Sequence, residues 1–320
     1  MILQLLSTII ALVLIFIFAI NKFSKQVQGV AGEKFKNLLR KLTGNPLKGT
    51  ITGTVVTSII QSSTATTVMT VGLVNAGVIT FRESLGVIFG ANIGTTITSQ
   101  LIALNLTAVA PFIIILGFLI LQFGGNYKHY GKSVFYFGLV FFCLSLMAQL
   151  VSPLAENESI SRILSHTSNL PTGILVGIIL TTIFQSSSIT SGLVIVLASS
   201  GIIDIHQGIG IMLGANIGTT STSLLASIPM SIDAKKAALA HTIFNIGGSI
   251  AILPFINQLT TMIQSFDSSV AQQIANMHLI FNVFSTILFL ILFKQFILII
   301  EWLSKQRIFH IDTKKWEPKV

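Results

Sequence analysis

Charge is what this sequence has least of. Only 9% of its 320 residues are Asp, Glu, Lys or Arg, where soluble domains carry roughly 25%. A soluble protein of this size would have too few charges to coat its surface. With 52% hydrophobic residues and a mean hydropathy of +0.85, the chain reads as membrane-embedded. Acidic residues are scarcer still: there are ten, and none lies deep in an apolar run. Proton-coupled and cation transporters usually keep a carboxylate inside the membrane, so this chemistry lacks its residue. The single cysteine, Cys143, cannot form an intrachain disulfide and reads as a packed thiol. No Walker A motif, catalytic triad, dinucleotide fingerprint or metal-ligand spacing occurs, which leaves ATP-driven transport and enzymatic activity without residues and implies no cofactor.

The net charge is +9, but the basic residues sit in short stretches between apolar runs: Lys22 to Lys48, Lys128 to Lys132, Lys235 and Lys236, and the tail from Lys305. This is the positive-inside pattern of a membrane protein and not a nucleic-acid surface. Residues 1–20 are apolar without a basic leader, and Lys22 and Lys25 follow directly. A cleaved signal has the opposite order, so this segment reads as a retained span with its N-terminus outside.

The main organisational feature is an internal repeat. Gly49 to Gln100 aligns without gaps onto Gly173 to Leu224 at an offset of 124, with about twenty identities. Gln61-Ser62-Ser63 matches Gln185-Ser186-Ser187, and Gly90-Ala91-Asn92-Ile93-Gly94-Thr95-Thr96 matches Gly214-Ala215-Asn216-Ile217-Gly218-Thr219-Thr220. Residues 22–48 carry seven Lys or Arg and should be cytoplasmic, so the first copy starts inside. Spans over 107–123 and 134–151 then lead to an acidic loop with Glu156 and Glu158, so the second copy starts outside. Two further spans, about 238–262 and 276–303, return the chain to a cytoplasmic tail. The copies enter from opposite sides, an inverted-topology repeat. The expected layout is one all-α transmembrane domain over 1–303: a span at 1–21, repeat one at 30–152, repeat two at 156–303, and a basic tail at 304–320. Residues 30–44 and 156–168 read as amphipathic interfacial helices. A homo-oligomer is compatible with this layout.

Gln61-Ser62-Ser63-Thr64 and Gln185-Ser186-Ser187-Ser188 put four polar residues in a row. Successive helical residues point about 100° apart, so some would face lipid unless the backbone is broken or buried there. Either a broken helix or a re-entrant hairpin fits residues 49–80 and 171–203. Hydroxyls and amides serve both signs of ion, offering hydrogens to an anion and oxygens to sodium. Hydrogen bonding between helices is the plainer reading, but matched clusters in inverted repeats weigh against it. In Gly-Ala-Asn-Ile-Gly-Thr-Thr the glycines four apart fit close packing. They also fit a helix break capped by Thr95 and Thr96, with free N–H groups facing an anion. A neutral polar site suits an anion balanced by co-bound cations. His241-x-x-Phe-Asn245 recurs as His278-x-x-Phe-Asn282, with His and Asn on one helical face, and reads as a structural hydrogen-bonding pair.

These paired motifs, with Ala-x-x-His-x-x-Phe-Asn over Ala238 to Asn245, resemble the type II sodium–phosphate cotransporter family and its bacterial members over residues 30–300. The resemblance implies sodium-driven symport of inorganic phosphate across the cell membrane by alternating access, with phosphate, sodium and the bilayer as partners. It implies phosphate binding by Ser62, Ser63, Thr64, Ser186, Ser187 and Ser188. It implies sodium binding by Gln61, Gln185, Asn92, Asn216, Thr95, Thr96, Thr219, Thr220 and Thr222. Another oxyanion or carboxylate, or a non-transporting phosphate sensor or scaffold, are the competing readings. Two departures stand out. The first cluster ends in Thr64 where the second has a third serine. Many bacterial relatives carry a PhoU-type regulatory domain after the membrane domain, and this sequence ends about twenty residues after its last expected span.

Overall fold

The computed structural model describes residues 2–104, 106–155, 169–267 and 269–305, and among these it is all-α, with no strand. The order is α1 (Ile2–Leu42), α2 (Pro46–Ile60), α3 (Ser63–Asn75), α4 (Phe81–Ala103), α5 (Ala110–Phe123), α6 (Lys128–Ala155), α7 (Leu170–Phe184), α8 (Ser187–Ser199), α9 (Ile205–Ser227), α10 (Ile232–Ile252), α11 (Ile256–Phe266), α12 (Val270–Ile291) and α13 (Phe293–Ser304). Six stretches among the described residues are long and apolar enough to cross a membrane.

The repeat in sequence is a repeat in structure. α2, α3 and α4 are matched at both ends, residue for residue, by α7, α8 and α9 at the offset of 124. The local signals recur even where the residues differ. Asn45 and Asn169 cap α2 and α7, each ahead of a proline in the first turn. A capping box opens α4 through Thr80 and Glu83, and α9 through Asp204 and Gln207.

The polar clusters mark hairpins. Thr57 Oγ1 and Thr66 Oγ1 lie 3.0 Å apart, and Thr181 and Thr190 repeat the contact at 2.7 Å. Nine residues of continuous helix would hold them about 13 Å apart. The chain therefore reverses at Gln61–Ser62 and at Gln185–Ser186. α2 has 15 residues and α3 has 13, about 22 and 20 Å, short of the roughly 30 Å hydrocarbon core, so each pair is re-entrant.

Each hairpin is pinned to the long helix that follows. Gly86, Gly90 and Gly94 of α4 meet the backbone at Pro46, Thr50 and Thr54 of α2, and a Cβ at any of them would lie well inside van der Waals distance. Gly210, Gly214 and Gly218 of α9 do the same against Leu170, Ile174 and Ile178 of α7. Both residue series ascend together, so the packed helices are parallel. α4 and α9 themselves run unbroken through Gly-Ala-Asn-Ile-Gly-Thr-Thr. The glycines are packing residues, and the expected helix break there is not formed.

The inversion can be read from α12. Along α12, Ile274 meets Gly208 and His278 meets Asn216, so it runs parallel to α9. His278 also meets Ser99 while Thr286 and Phe289 meet Phe89, so it runs antiparallel to α4. α4 and α9 are thus opposed. Across the fold α3 packs on α9 and α8 on α4, the reciprocal contacts of a pseudo-twofold arrangement.

Lipid-facing positions follow the same repeat. Ile51, Val55 and Ile59 line one exposed stripe of α2, and Leu175, Ile179 and Ile183 line the equivalent stripe of α7. Several expected boundaries move. The first span and the helix expected at 30–44 are one 41-residue helix, α1. The span expected at 107–123 shortens to α5, which lies along α6 through Gly117, Gly131 and Gly138. The last two expected spans are each interrupted inside, at 253–255 and at Leu292, giving α10 with α11 and α12 with α13. The helix expected at 156–168 and the tail beyond 305 lie outside the described residues.

Candidate functional site

The two turns of the hairpins carry the signature of the site. Gln61 and Gln185 are the two positive-φ residues other than glycine among those described, at φ 57° and 51°. A left-handed conformation costs a side-chain-bearing residue about 1–2 kcal/mol. Glycine would relieve it, yet glutamine occupies both turns. Ser62 and Ser186 follow in extended conformation at φ −154°, at the N-cap positions just ahead of α3 and α8. The first-turn N–H groups of these half-helices and their positive dipole ends therefore face the turns.

The two tips differ in state. Gln61 is 9% exposed. Its Oε1 accepts from Thr98 Oγ1 at 2.9 Å, its Nε2 donates to the Ser58 carbonyl, and its own carbonyl accepts from Ser24 of α1 at 3.3 Å. Phe23, Phe137 and Phe141 close around it, leaving a void of about 20 Å³. Gln185 is exposed, and the hydroxyl of Thr222, the mate of Thr98, is buried without a partner among the described residues. Ser62 Oγ accepts from Ala65 N at 3.2 Å, whereas Ser186 makes no capping bond. Ser63, Ser187 and Ser188 are buried, while Ser62, Thr64 and Ser186 are partly accessible.

The supporting asparagines and threonines lie beside the tips on α4 and α9. Thr98 holds Gln61, and the adjacent Ser99 Oγ lies 2.9 Å from His278 Nδ1, whose Nε2 lies 3.2 Å from Asn216 Oδ1. One level of the structure thus joins the first tip to the second repeat's asparagine. Asn92 Nδ2 donates to the Ile88 carbonyl at 2.8 Å. Thr96, Thr219 and Thr220 donate to carbonyls of their own helices, and Thr95 is buried. Of the residues expected from the sequence, the structure links Gln61 and Asn216, through Thr98, its neighbour Ser99 and His278, none of the three an expected site residue. It leaves Gln185 and Thr222 apart.

The histidines do not bond the asparagines of their own motifs side chain to side chain. Asn245 and Asn282 donate to the carbonyls of His241 and His278, while the rings reach Ser223 Oγ at 3.1 Å and Ser99. Thr57, Thr66, Thr98, Ser99 and their mates Thr181, Thr190, Thr222 and Ser223 are all identical in the alignment, which is the signal that marks them. Ser24 carries no such mark. Among the described residues no three His, Cys, Asp or Glu side chains gather to hold a metal ion.

Fold and tips together define a multi-pass membrane protein of two inverted repeats with paired re-entrant polar turns. The family model described as Na+/Pi-cotransporter matches residues 15–149 and 151–291, one match per repeat, and the chain belongs to that family. Uncharacterized protein YqeW of Bacillus subtilis (strain 168) is 34% identical over 283 residues, 88% of this chain and 92% of YqeW. The Escherichia coli (strain K12) protein named "Putative inorganic phosphate export protein YjbB" is 25% identical over 261 residues, covering 80% of this chain and 48% of YjbB. The chain therefore spans about half of that relative. Sodium-dependent phosphate transport protein 2C of Mus musculus is 30% identical over 146 residues, 41% of this chain and 24% of its own length. No solved structure matches.

Proposed function

We propose that the chain is a sodium-coupled transporter of inorganic phosphate that works by alternating access in the cell membrane. The observation that carries this reading is the pair of re-entrant turns, equivalent in sequence yet caught in different states. Gln61 is tied to Thr98 and sealed, while Gln185 is exposed and the Thr222 hydroxyl has no partner among the described residues. Two inverted repeats that exchange these states would expose the site first to one side and then to the other.

In this mechanism phosphate sits between the half-helix ends. The N–H groups and hydroxyls of Ser62, Ser63, Thr64, Ser186, Ser187 and Ser188 supply donors where the dipoles favour negative charge. Gln61, Gln185, Asn92, Asn216, Thr95, Thr96, Thr219, Thr220 and Thr222 supply neutral oxygens for sodium, which offsets the anion's charge in a low-dielectric site. With no acidic side chain in the tips, the cations do this work. The sodium gradient then drives phosphate, and voltage adds to it only if net charge moves.

Reconstitution tests it: a sodium gradient imposed on proteoliposomes should accumulate radiolabelled phosphate, with excess sulfate or dicarboxylate competing poorly. Sodium-dependent binding without accumulation would leave a sensor and end the transporter reading. Uptake should also persist when a protonophore is added with the sodium gradient intact, and its collapse would reveal proton coupling. Orientation is checked separately. Basic-loop placement puts the N-terminus outside and residue 305 in the cytoplasm, so labels near Gly49 and Gly173 should react from opposite sides. Reaction from one side would overturn the orientation of the repeats.

A further inference from the structure

The His-x-x-Phe-Asn repeat lies away from the hairpin turns, and its own symmetry shows what it builds. Extended, it reads Ala-x-x-His-x-x-Phe-Asn-x-x-Gly-Ser over 238–249 and Ala-x-x-His-x-x-Phe-Asn-x-x-Ser-Thr over 275–286. α10 and α12 cross at equivalent residues: a Cβ on Gly248 would fall on the Ser285 side chain. One turn away Phe244 meets Phe289 at 5.2 Å between centroids, so the helices run antiparallel. The pseudo-twofold that exchanges α4 with α9 therefore also exchanges α12 with α10. His278 touches Ser99 of the first repeat as His241 touches Ser223 of the second.

At this crossing four side-chain oxygens are buried without a hydrogen-bond partner among the described residues: Asn245 Oδ1, Asn282 Oδ1, Ser249 Oγ and Ser285 Oγ. Their residues are 0%, 0%, 3% and 0% exposed. The amides are oriented. Asn245 Nδ2 donates to the His241 carbonyl at 2.9 Å and Asn282 Nδ2 to the His278 carbonyl at 2.8 Å, which presents each oxygen away from its donor. Asn245 and Ser249 share a face at i, i+4, Asn282 and Ser285 at i, i+3, and all four lie within a turn of the Gly248–Ser285 contact. A buried acceptor left unpaired is costly, and the two equivalent asparagines both bear that cost, with Ser249 and Ser285 beside them. Neutral hydroxyl and amide oxygens without a carboxylate are hard ligands for a singly charged cation, whereas a divalent ion would remain uncompensated.

We propose that the α10–α12 crossing holds a monovalent cation, of sodium's class, at a site separate from the hairpin turns. This rests on the sodium-coupled reading above and deepens it. Through His241 and His278 the site is wired to both repeats, so its occupancy would favour one arrangement of α4 against α9.

The test uses the full chain in nanodiscs without phosphate. The thermal midpoint is followed as sodium chloride replaces choline chloride at constant ionic strength. Sodium should raise the midpoint of the parent protein. Ser285→Ala should shift the sodium concentration required by about tenfold or more while leaving the midpoint in choline unchanged or higher, because it removes an unpaired buried hydroxyl. Asn245→Ala, from the other helix, should act in the same direction. A Gln61→Ala/Gln185→Ala protein should keep a sodium response that adding Ser285→Ala removes. If Ser285→Ala and Asn245→Ala respond to sodium like the parent, the oxygens are met by water alone and the proposal is overturned. If the Gln61→Ala/Gln185→Ala protein has already lost its response, the crossing binds no cation. If the parent itself shows no sodium response, this site and the sodium-coupled reading fail together.

Discussion

Gln61→Ala and Gln185→Ala are each expected to lower sodium-driven phosphate uptake by about five- to 150-fold with normal membrane abundance. Gln61→Ala removes an amide bonded to Thr98 and to the Ser58 carbonyl and leaves a buried partner unpaired at roughly 1–3 kcal/mol. Gln185→Ala removes the amide that the exposed turn would offer to the ions in the proposed mechanism. The side chain can be separated from the backbone. Both positions are left-handed, so alanine keeps the strain that glutamine bears, whereas glycine releases about 1–2 kcal/mol of it. Gln61→Gly and Gln185→Gly should therefore lose transport while holding or gaining thermal stability. The two alanine variants should also differ from each other. Gln61→Ala strands the Thr98 hydroxyl in a sealed pocket and should be the less stable, whereas Gln185 is exposed. Uptake kinetics measured with membrane abundance and melting point decide this. Near-normal apparent affinities for sodium and phosphate in both variants would remove the glutamines from the site.

Gly90→Leu and Gly214→Leu should fail in the opposite way, through assembly. A Cβ at Gly90 would press on the Thr50 carbonyl and lie 2.7 Å from the Thr54 nitrogen. At Gly214 it would press on the Ile174 carbonyl and lie 2.9 Å from the Ile178 nitrogen. Backbone cannot rotate aside as a side chain can, so hairpin and long helix must separate. Overpacking usually costs about 1–3 kcal/mol, and a whole leucine between two backbones belongs at or above the top of that range. Membrane abundance and monodispersity after extraction should both fall sharply. Gly72, in α3, is the control: nothing lies within 4 Å of its added Cβ. Gly72→Ala should be tolerated and gain up to about 1 kcal/mol from helix propensity. Normal abundance of both leucine variants would show that the α2–α4 and α7–α9 contacts are not close-packed.

Much of this organisation is legible without coordinates. The low charge and the basic loops mark a membrane protein, and the offset of 124 locates both copies to the residue because a duplicated segment keeps its caps and turns. Inversion follows from loop charge, since Lys and Arg are held on one side. The polar runs at Gln61 and Gln185 announce interrupted helices, because four successive polar residues cannot share one helical face.

Whether those interruptions are kinks or reversals is not a local property. Both leave the same polar residues at a chain break, and only the Thr57–Thr66 and Thr181–Thr190 contacts distinguish them. The glycine motif shows the same limit. Glycine serves a helix break and a close helix contact equally well, and the α2 and α7 backbones across from it make it a contact. His241 and His278 pair with serines 18 and 179 residues away on other helices, contacts that the periodicity of one helix does not encode. The sequence by itself determined the membrane class, the duplication and the turns that carry the polar groups, because composition, loop charge and helix periodicity act locally. Tertiary structure alone decided that one turn is sealed while its twin is open, because equivalent segments meet different neighbours: α1 and α6 close over Gln61, whereas Gln185 is exposed among the described residues.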